Sequence, residues 1–408
     1  MKFAEAQLDN GLKIVAEVNN DAASMAAGFF VRTGSRDETP EIAGVSHFLE
    51  HMIFKGTKRR SPMDVNREFD EMGANYNAFT SEENTVYYGA VLPEFQTRLL
   101  DLLCDILRPA LRPEDFDMEK NVIQEEIALY QDRPHYRVYE ALMNRHFTGH
   151  PLSNSVLGSA ESIGQLKRDD MQRYFDRRYS PGNVTVVGVG NLNFEAFVDK
   201  VGQTCSLWQP YDTMRDLGQP GDSRTQEAIA DGKVTREHIG MMSPGPAAQD
   251  EARYAAELAA TIVGDQTGSR FYYALVEPAI ADEAHLGYTP LDGTGAFMAF
   301  VSADADRAAE AVRIARAELK RFVDDGPTDA ELQAAKNKIA SYATLRGELP
   351  MGRLTAVGFD WVYRRQYVPL AKQIDTLFAV TKQDVHELAR RCDMTATTVL
   401  GLGPLESL

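Results

Sequence analysis

Residues 177–192, RRYSPGNVTVVGVGNL, recur in altered form as RRCDMTATTVLGLGPL at residues 390–405. Both copies begin with two arginines and contain the pattern Thr-Val-x-Gly-x-Gly, and the two features share one offset of 213 residues. The run that contains this pattern is short and apolar, which is typical of a buried β-strand. Two features at a single offset indicate that the chain contains a tandem repeat.

The region between the two copies suggests where the repeats meet. Residues 216–226, DLGQPGDSRTQ, are rich in glycine, proline and polar residues, which is typical of a linker. Strand-like and helix-like segments alternate before this stretch and restart after it. Since 408 residues are too many for one comfortable hydrophobic core, the sequence predicts an α+β protein with two similar domains, residues 1–215 and 227–408.

Composition excludes several classes of function. Hydrophobic residues make up 44% of the chain and charged residues 25%, as in ordinary globular proteins. The net charge of −17, without a basic stripe, argues against nucleic acid as a partner. No apolar run approaches the roughly 18 residues of a membrane span, the N-terminus lacks a secretory apolar segment, and three dispersed cysteines indicate free, buried thiols. We therefore expect a cytoplasmic protein that binds neither nucleic acid nor a membrane.

The first half contains clear local patterns. A helical pattern begins near residue 43, and Ser61-Pro62-Met63-Asp64 predicts the start of a second helix through a capping serine, a proline and an acid. Residues 75–81, NYNAFTS, and 85–92, TVYYGAVL, predict two strands. A helix pair is predicted at 93–107 and 113–131.

The helix predicted to begin near residue 43 contains residues that could form half of a metal site. They lie within GVSHFLEHMIFKGT at residues 44–57. His47 and His51 are four residues apart and lie on one helix face, so both rings can point to the same place. Glu50 borders that face, in the inverse order of the more familiar His-Glu-x-x-His motif. Because a catalytic zinc usually has three protein ligands, a third must come from elsewhere.

The helix predicted at 113–131 offers candidates for the third ligand. Glu119 and Glu126 are seven residues apart and share a face, whereas Glu125 is rotated by about 100° from Glu126. A histidine pair at this spacing is more often a surface feature, and adjacent glutamates on a helix are usually solvated. The residues by themselves therefore leave both the metal site and a solvated surface open.

The order of these motifs resembles the pitrilysin/insulinase metallopeptidases, also called inverzincins, and especially short bacterial members related to mitochondrial processing peptidase. The resemblance rests on residues 44–57, on EFDEMGANYNAFTSEENTVYY at 68–88 and on EKNVIQEEI at 119–127. It covers essentially the whole first half and is weaker in the second. It implies two tandem α/β-sandwich domains, each a mixed or antiparallel sheet covered by helices, of which only the first binds metal.

The resemblance also assigns roles to individual residues. It implies one zinc ion per chain, Glu50 as the catalytic base and Glu119 as a carboxylate that supports the catalytic site. The residues implied as zinc ligands are His47, His51 and Glu126, and those implied to contact an extended peptide are Asn77, Ala78 and Thr80. The implied activity is that of a zinc metalloendopeptidase or oligopeptidase acting on peptides or unfolded segments, as a homodimer or as a heterodimer with a related subunit.

The second half departs from the family pattern. Family members commonly carry an arginine and a tyrosine seven residues apart that steady the substrate. Two alignments place Val276 or Ala281 where the arginine would be, so neither keeps the pair. Arg270, Tyr272 or Tyr273 are possible substitutes. The departure leaves open an alternative function, a non-catalytic or partner-dependent peptide-binding subunit.

Overall fold

The structure is a computed structural model that describes residues 1–218, 220–221, 224–395 and 397–408. The predicted linker at 216–226 includes residues 219, 222 and 223, which lie outside the described residues. The strands are β1 (Lys2–Gln7), β2 (Lys13–Val18), β3 (Met25–Val31), β4 (Asn75–Thr80), β5 (Thr85–Val91), β6 (Val184–Gly190), β7 (Gln226–Ala230), β8 (Glu237–Gly245), β9 (Glu283–Pro290), β10 (Gly295–Ala303) and β11 (Thr398–Gly403). The α-helices are α1 (Val45–Ile53), α2 (Pro62–Glu71), α3 (Gln96–Ile106), α4 (Pro113–Gln131), α5 (Pro134–His146), α6 (Ala160–Gln165), α7 (Arg168–Arg178), α8 (Phe194–Cys205), α9 (Arg253–Gly264), α10 (Ala308–Asp325), α11 (Asp329–Gly347), α12 (Pro350–Arg364), α13 (Leu370–Ala379) and α14 (Lys382–Arg391).

The first sheet has the strand order β1-β2-β6-β3-β5-β4. It is mixed, because β6 runs parallel to β2 and antiparallel to β3. Every residue of β6 is buried, which explains why its sequence is continuously apolar rather than alternating. Among the described residues, strand β4 lies at the edge of this sheet and pairs only with β5.

The second sheet has the order β7-β11-β8-β10-β9 and repeats this pattern. Strand β11 runs parallel to β7 and antiparallel to β8, as β6 does with β2 and β3. The repeated sequences therefore form equivalent strands in the two sheets, with Thr185 in β6 and Thr398 in β11. The predicted α+β class with two similar sandwiches is confirmed.

The compact units do not follow the chain in two contiguous halves. The first unit consists of Met1–Ala128, Asn154–Asp216 and Thr344–Val368, and the second of Leu129–Ser153, Leu217–Ala343 and Pro369–Leu408. The second unit thus includes α5 from the first half of the sequence, and the first unit includes α12 from the second half. The predicted contiguous ranges 1–215 and 227–408 differ from the observed units in these two segments.

Apolar packing explains why α5 belongs to the second unit and α12 to the first. Helix α5 lays Val138 and Leu142 against the second sheet, where a side chain at Gly240 would come within 2.8 Å of Val138. Helix α12 packs Leu354 and Val357 into the core of the first unit, on β6 and β3. Each helix buries its apolar face on the sheet of the unit that contains it.

Several local predictions match the structure. Ser61 caps α2, since its hydroxyl accepts the backbone N–H of Asp64, and α4 has the predicted bounds. The helix predicted at 93–107 begins as a 3-10 turn, Pro93–Phe95, before α3. Strand β1, which lies at a sheet edge with three of its six residues exposed, was not predicted. Among the described residues, no helix is both long enough and apolar enough to cross a bilayer.

Candidate metal centre

Helix α1 carries the histidine motif, and its start is tightly determined. Gly44 precedes the helix at φ 90°, and a side chain there would come within 2.6 Å of the Leu157 carbonyl oxygen. The buried carboxylate of Glu38 accepts the N–H groups of Gly44 at 2.6 Å and Ser46 at 2.7 Å. These bonds satisfy amides that the first turn of a helix otherwise leaves free. The backbone beneath the histidines is therefore fixed.

The two histidines and one glutamate converge. The rings of His47 and His51 lie with their centroids 4.8 Å apart. Helix α4 brings the Glu126 Oε2 atom to 3.5 Å from His51 Nε2 and 3.8 Å from His47 Nε2. Donor atoms around a tetrahedral zinc ion are roughly 3.3 Å apart. Within the described part of the chain, these three residues form the group whose donor atoms all lie within 4.8 Å of one another.

The protonation of His47 suits metal binding. Burial, and the neighbouring His51, lower the pKa of His47 to about 3, so its imidazole is neutral at ordinary pH. Its Nδ1 atom is buried and has no hydrogen-bond partner among the described residues. Neutral imidazole is the form that binds divalent transition metals. The donor set therefore fits a zinc ion.

Glu119 orients His51. Its Oε1 atom lies 2.9 Å from His51 Nδ1, and its Oε2 atom lies 2.5 Å from Lys55 Nζ. With Nδ1 engaged in this way, Nε2 of His51 is the atom that faces Glu126. A carboxylate behind a metal-binding histidine is a common device for setting the ring's tautomer and orientation.

The charges around His51 and Glu119 stabilise each other. Burial acts to lower the pKa of His51, but the bond to Glu119 and the charges of Glu126 and Glu50 raise it overall. Burial acts to raise the pKa of Glu119, but its bonds to His51 and Lys55 lower it overall. Glu119 is thus the ionised partner of His51.

Glu50 lies beside the cluster without belonging to it. Its Oε2 atom accepts a 2.5 Å hydrogen bond from Thr80 Oγ1, at the end of β4. Burial raises the pKa of Glu50, although the bond from Thr80 acts to lower it. A carboxylate with a raised pKa holds a proton more readily than an ordinary glutamate, which suits a group that must accept one.

The three predicted peptide-contact residues lie on the open edge strand β4, but they differ in exposure. Asn77 is exposed, and its Oδ1 atom accepts the N–H of Ala78 at 2.8 Å. The side chain of Ala78 is buried. Thr80 is half-buried and is bonded to Glu50.

Sequence reasoning missed Lys55 and underestimated the constraint on Arg270. Lys55 follows His51 by four residues, so its spacing could have revealed it.

Arg270 bonds Glu331 at 2.7 Å and the Gly326 carbonyl oxygen at 2.9 Å, and it is buried. It therefore has a structural role in the second unit and is a poor substitute for the missing arginine.

Glu125 is exposed on α4, whereas Glu126 belongs to the cluster. The preference for Glu126 therefore agrees with the observed geometry. The ligand and base roles themselves remain proposals.

Comparison with known proteins decides the family. The chain is 30% identical over 387 residues to the Uncharacterized zinc protease YmxG of Bacillus subtilis, covering 94% of this chain and 93% of that protein. The chain belongs to the insulinase family, peptidase family M16. The model of that family matches residues 13–160, and a model described as the peptidase M16 inactive domain matches residues 165–339.

The chain is also similar to a second curated protein and, in its fold, to a solved structure. An uncharacterized zinc protease of Streptomyces coelicolor is 28% identical over 98% of this chain and 89% of its own length. A protease from Helicobacter pylori has the same fold, with a TM-score of 0.91 at 20% identity over 99% of both chains. The closer relation to mitochondrial processing peptidase stays a prediction.

Proposed function

We propose that this insulinase-family protein is a zinc-dependent endopeptidase or oligopeptidase that hydrolyses peptides or unfolded segments. One observation carries the proposal: the donor atoms of His47, His51 and Glu126 converge beside Glu50, which is itself bonded to the open edge strand β4. This arrangement supports the proposal, because such an enzyme needs zinc ligands, a base and a peptide-binding edge close to one another.

The proposed chemistry divides between the metal and Glu50. When bound, zinc lowers the pKa of a water molecule and polarises a carbonyl group. Glu50 accepts a proton from the attacking water and delivers it to the nitrogen of the leaving amine. The raised pKa of Glu50 suits both steps, because the group must bind the proton and then release it. Thr80 fixes one carboxylate oxygen of Glu50 and leaves the other for the proton transfer.

Replacing the base tests the proposal directly. In Glu50→Gln, which preserves size but cannot accept the proton, we expect cleavage of a quenched peptide library to fall by about 10²–10⁴-fold. Zinc content, measured by atomic absorption, should stay equal to that of the parent protein. Glu125→Gln, at an exposed position, is the matched control and should keep both properties. Undiminished cleavage by Glu50→Gln would refute the assignment of the base.

A second candidate function follows from the altered second half. Neither Val276 nor Ala281 can replace an arginine, and Arg270 is held by Glu331. These observations favour a peptide-binding subunit that needs a related partner for activity. Assembly as a homodimer or such a heterodimer belongs to the proposal, and sedimentation of the purified chain measures it. Peptide cleavage by this chain alone, abolished by a chelator, would exclude dependence on a different subunit.

A further inference from the structure

The second unit contains a group of histidines that the proposed peptidase chemistry does not use. His135 lies in the first turn of α5, His238 on β8 and His285 on β9, and Glu283 lies two residues before His285. Three of the eight histidines in the chain thus come together from separate elements. We call these four residues the histidine cluster.

Strand register explains how the cluster forms. Ser302 of β10 lies opposite His238 on one side and Glu283 on the other. Two residues earlier on β10, Phe300 lies opposite His285. Residues two apart on a strand point to the same face, so these side chains share one face of the sheet.

Aromatic stacking places the third histidine over the same face. The ring of His135 stacks on Phe300 with centroids 4.1 Å apart, and the ring of His285 stacks on Phe300 at 5.6 Å. The centroid of His238 is 5.1 Å from that of His135. Phe300 is therefore the apolar base on which the polar groups assemble.

Glu283 lies between two of the imidazoles. One carboxylate oxygen is 3.3 Å from His285 Nδ1, and the other is 3.7 Å from His135 Nε2. The two contacts use different oxygens of the Glu283 carboxylate, so this carboxylate lies next to both imidazoles and can turn one oxygen toward an ion between them. The side chains of His135 and His285 are 53% and 41% exposed, so an ion can reach them from solvent.

His238 offers a further nitrogen atom next to this group. It is 9% exposed, and its Nδ1 atom is buried without a hydrogen-bond partner in the described part of the chain. Burial lowers the pKa values of His238 and His285, which leaves both rings neutral. The nearby Arg236 is paired with Asp282 at 2.8 Å and Asp304 at 2.6 Å, so its charge is compensated.

We propose that His135, Glu283 and His285 bind a second divalent transition-metal ion, with His238 as an additional nitrogen donor beside them. Imidazole and carboxylate together suit Zn²⁺, Co²⁺ and Ni²⁺. The ion connects the first turn of α5 to the edge strand β9 and so stabilises the second unit. This site is separate from His47, His51 and Glu126 and does not depend on the proposed peptidase activity.

Binding requires a rearrangement of side chains. Among the described residues, the donors of the histidine cluster do not all lie within 4.8 Å of one another, in contrast to those on α1 and α4. The exposed side chains of His135 and His285 must rotate toward the ion. We therefore expect the second ion to bind more weakly than the first.

Metal stoichiometry tests the inference without any measurement of activity. Metal-free full-length protein is titrated with Zn²⁺ against a chromophoric chelator and with Co²⁺ by visible absorption. We expect two equivalents for the parent protein, one for His47→Gln/His51→Gln and one for His135→Gln/His285→Gln. In the His47→Gln/His51→Gln background, added Zn²⁺ should also raise the unfolding temperature, because the ion binds the folded state.

Two further variants make the test specific. Glu283→Gln removes the carboxylate without touching a ring, and it should also lose the second equivalent. His386→Gln, in which the lost ring bonds the Val323 carbonyl oxygen at 3.0 Å, lies outside both sites and should keep two. The inference is overturned if His135→Gln/His285→Gln and Glu283→Gln both bind as many equivalents as the parent protein, or if His47→Gln/His51→Gln binds none.

Discussion

Glu119 contacts His51, which is one of the proposed metal ligands. Its carboxylate is buried, and it bonds His51 Nδ1 at 2.9 Å. In Glu119→Gln the ring loses its ionised partner, so we expect zinc affinity to fall by about 10–100-fold while one ion still binds at saturation. Competition with a chromophoric chelator measures this change. Glu125→Gln, on the exposed side of the same helix, should leave the affinity unchanged.

The same variant should alter the pH dependence of binding. Protons compete with the metal for His51, so zinc affinity declines as the pH falls through the raised pKa of this residue. Removing the bond to Glu119 lowers that pKa, and the decline should begin at a lower pH in Glu119→Gln. Titrations between about pH 5 and 8, where histidine ordinarily changes charge, measure the shift. An unchanged affinity together with an unchanged profile would show that Glu119 does not act on His51.

At the scale of the element, β4 offers an unpaired edge beside Glu50. A peptide added as a strand donates and accepts backbone hydrogen bonds at alternate residues. N-methylation of a substrate peptide at one set of alternate residues should therefore lower kcat/KM by about tenfold or more, at roughly 1 kcal/mol for each lost bond. Methylation of the other set, whose N–H groups point away from β4, should have little effect.

Two isomeric peptides with identical side chains make this comparison, and KM and kcat are measured for each. The interpretation requires that the two peptides differ mainly in KM, since strand addition affects binding before chemistry. Equal losses for both isomers would indicate that the substrate is not held as an added strand on β4.

The helical period explains which part of the site could be predicted. Spacing alone places His47 with His51 and Glu119 with Glu126, and these pairs do share faces in α1 and α4. Spacing cannot show that the two helices bring those faces together, or that Thr80 bonds Glu50 across 30 residues. Such contacts depend on tertiary packing, and the family resemblance supplied the link that local chemistry could not.

For the whole molecule, the sequence repeat predicted two similar sandwiches but not their interleaving. Helices α5 and α12 each have an apolar face, but the apolar pattern does not predict which sheet that face packs against. The choice depends on shape, as where Gly240 allows Val138 to approach, and on charge, as where Arg353 pairs with Glu17. Both involve residues far apart in sequence, so a division at the linker is the natural but incomplete expectation.

Neither half of the sequence, expressed alone, contains all the helices of its compact unit. A fragment of residues 1–215 lacks α12, which removes the buried side chains of Leu354 and Val357 from its core. It also leaves Glu17, 1% exposed, without the Arg353 guanidinium that bonds it at 2.9 Å. Loss of one partner of a buried ion pair costs about 3–5 kcal/mol, and each buried apolar side chain contributes about 1.5–3 kcal/mol more. These losses approach the roughly 5–15 kcal/mol that stabilises a whole domain.

We therefore expect fragment 1–215 alone to show no cooperative thermal unfolding and to bind no zinc at His47, His51 and Glu126. Co-expression with fragment 227–408 should restore both, because α12 is then available to the first sheet. The control is the full chain with a protease site inserted in the linker and cleaved after folding, which should keep its zinc and its unfolding temperature. Calorimetry and metal analysis give the answer, and a zinc-loaded, cooperatively unfolding fragment 1–215 would show that the first sheet does not need α12.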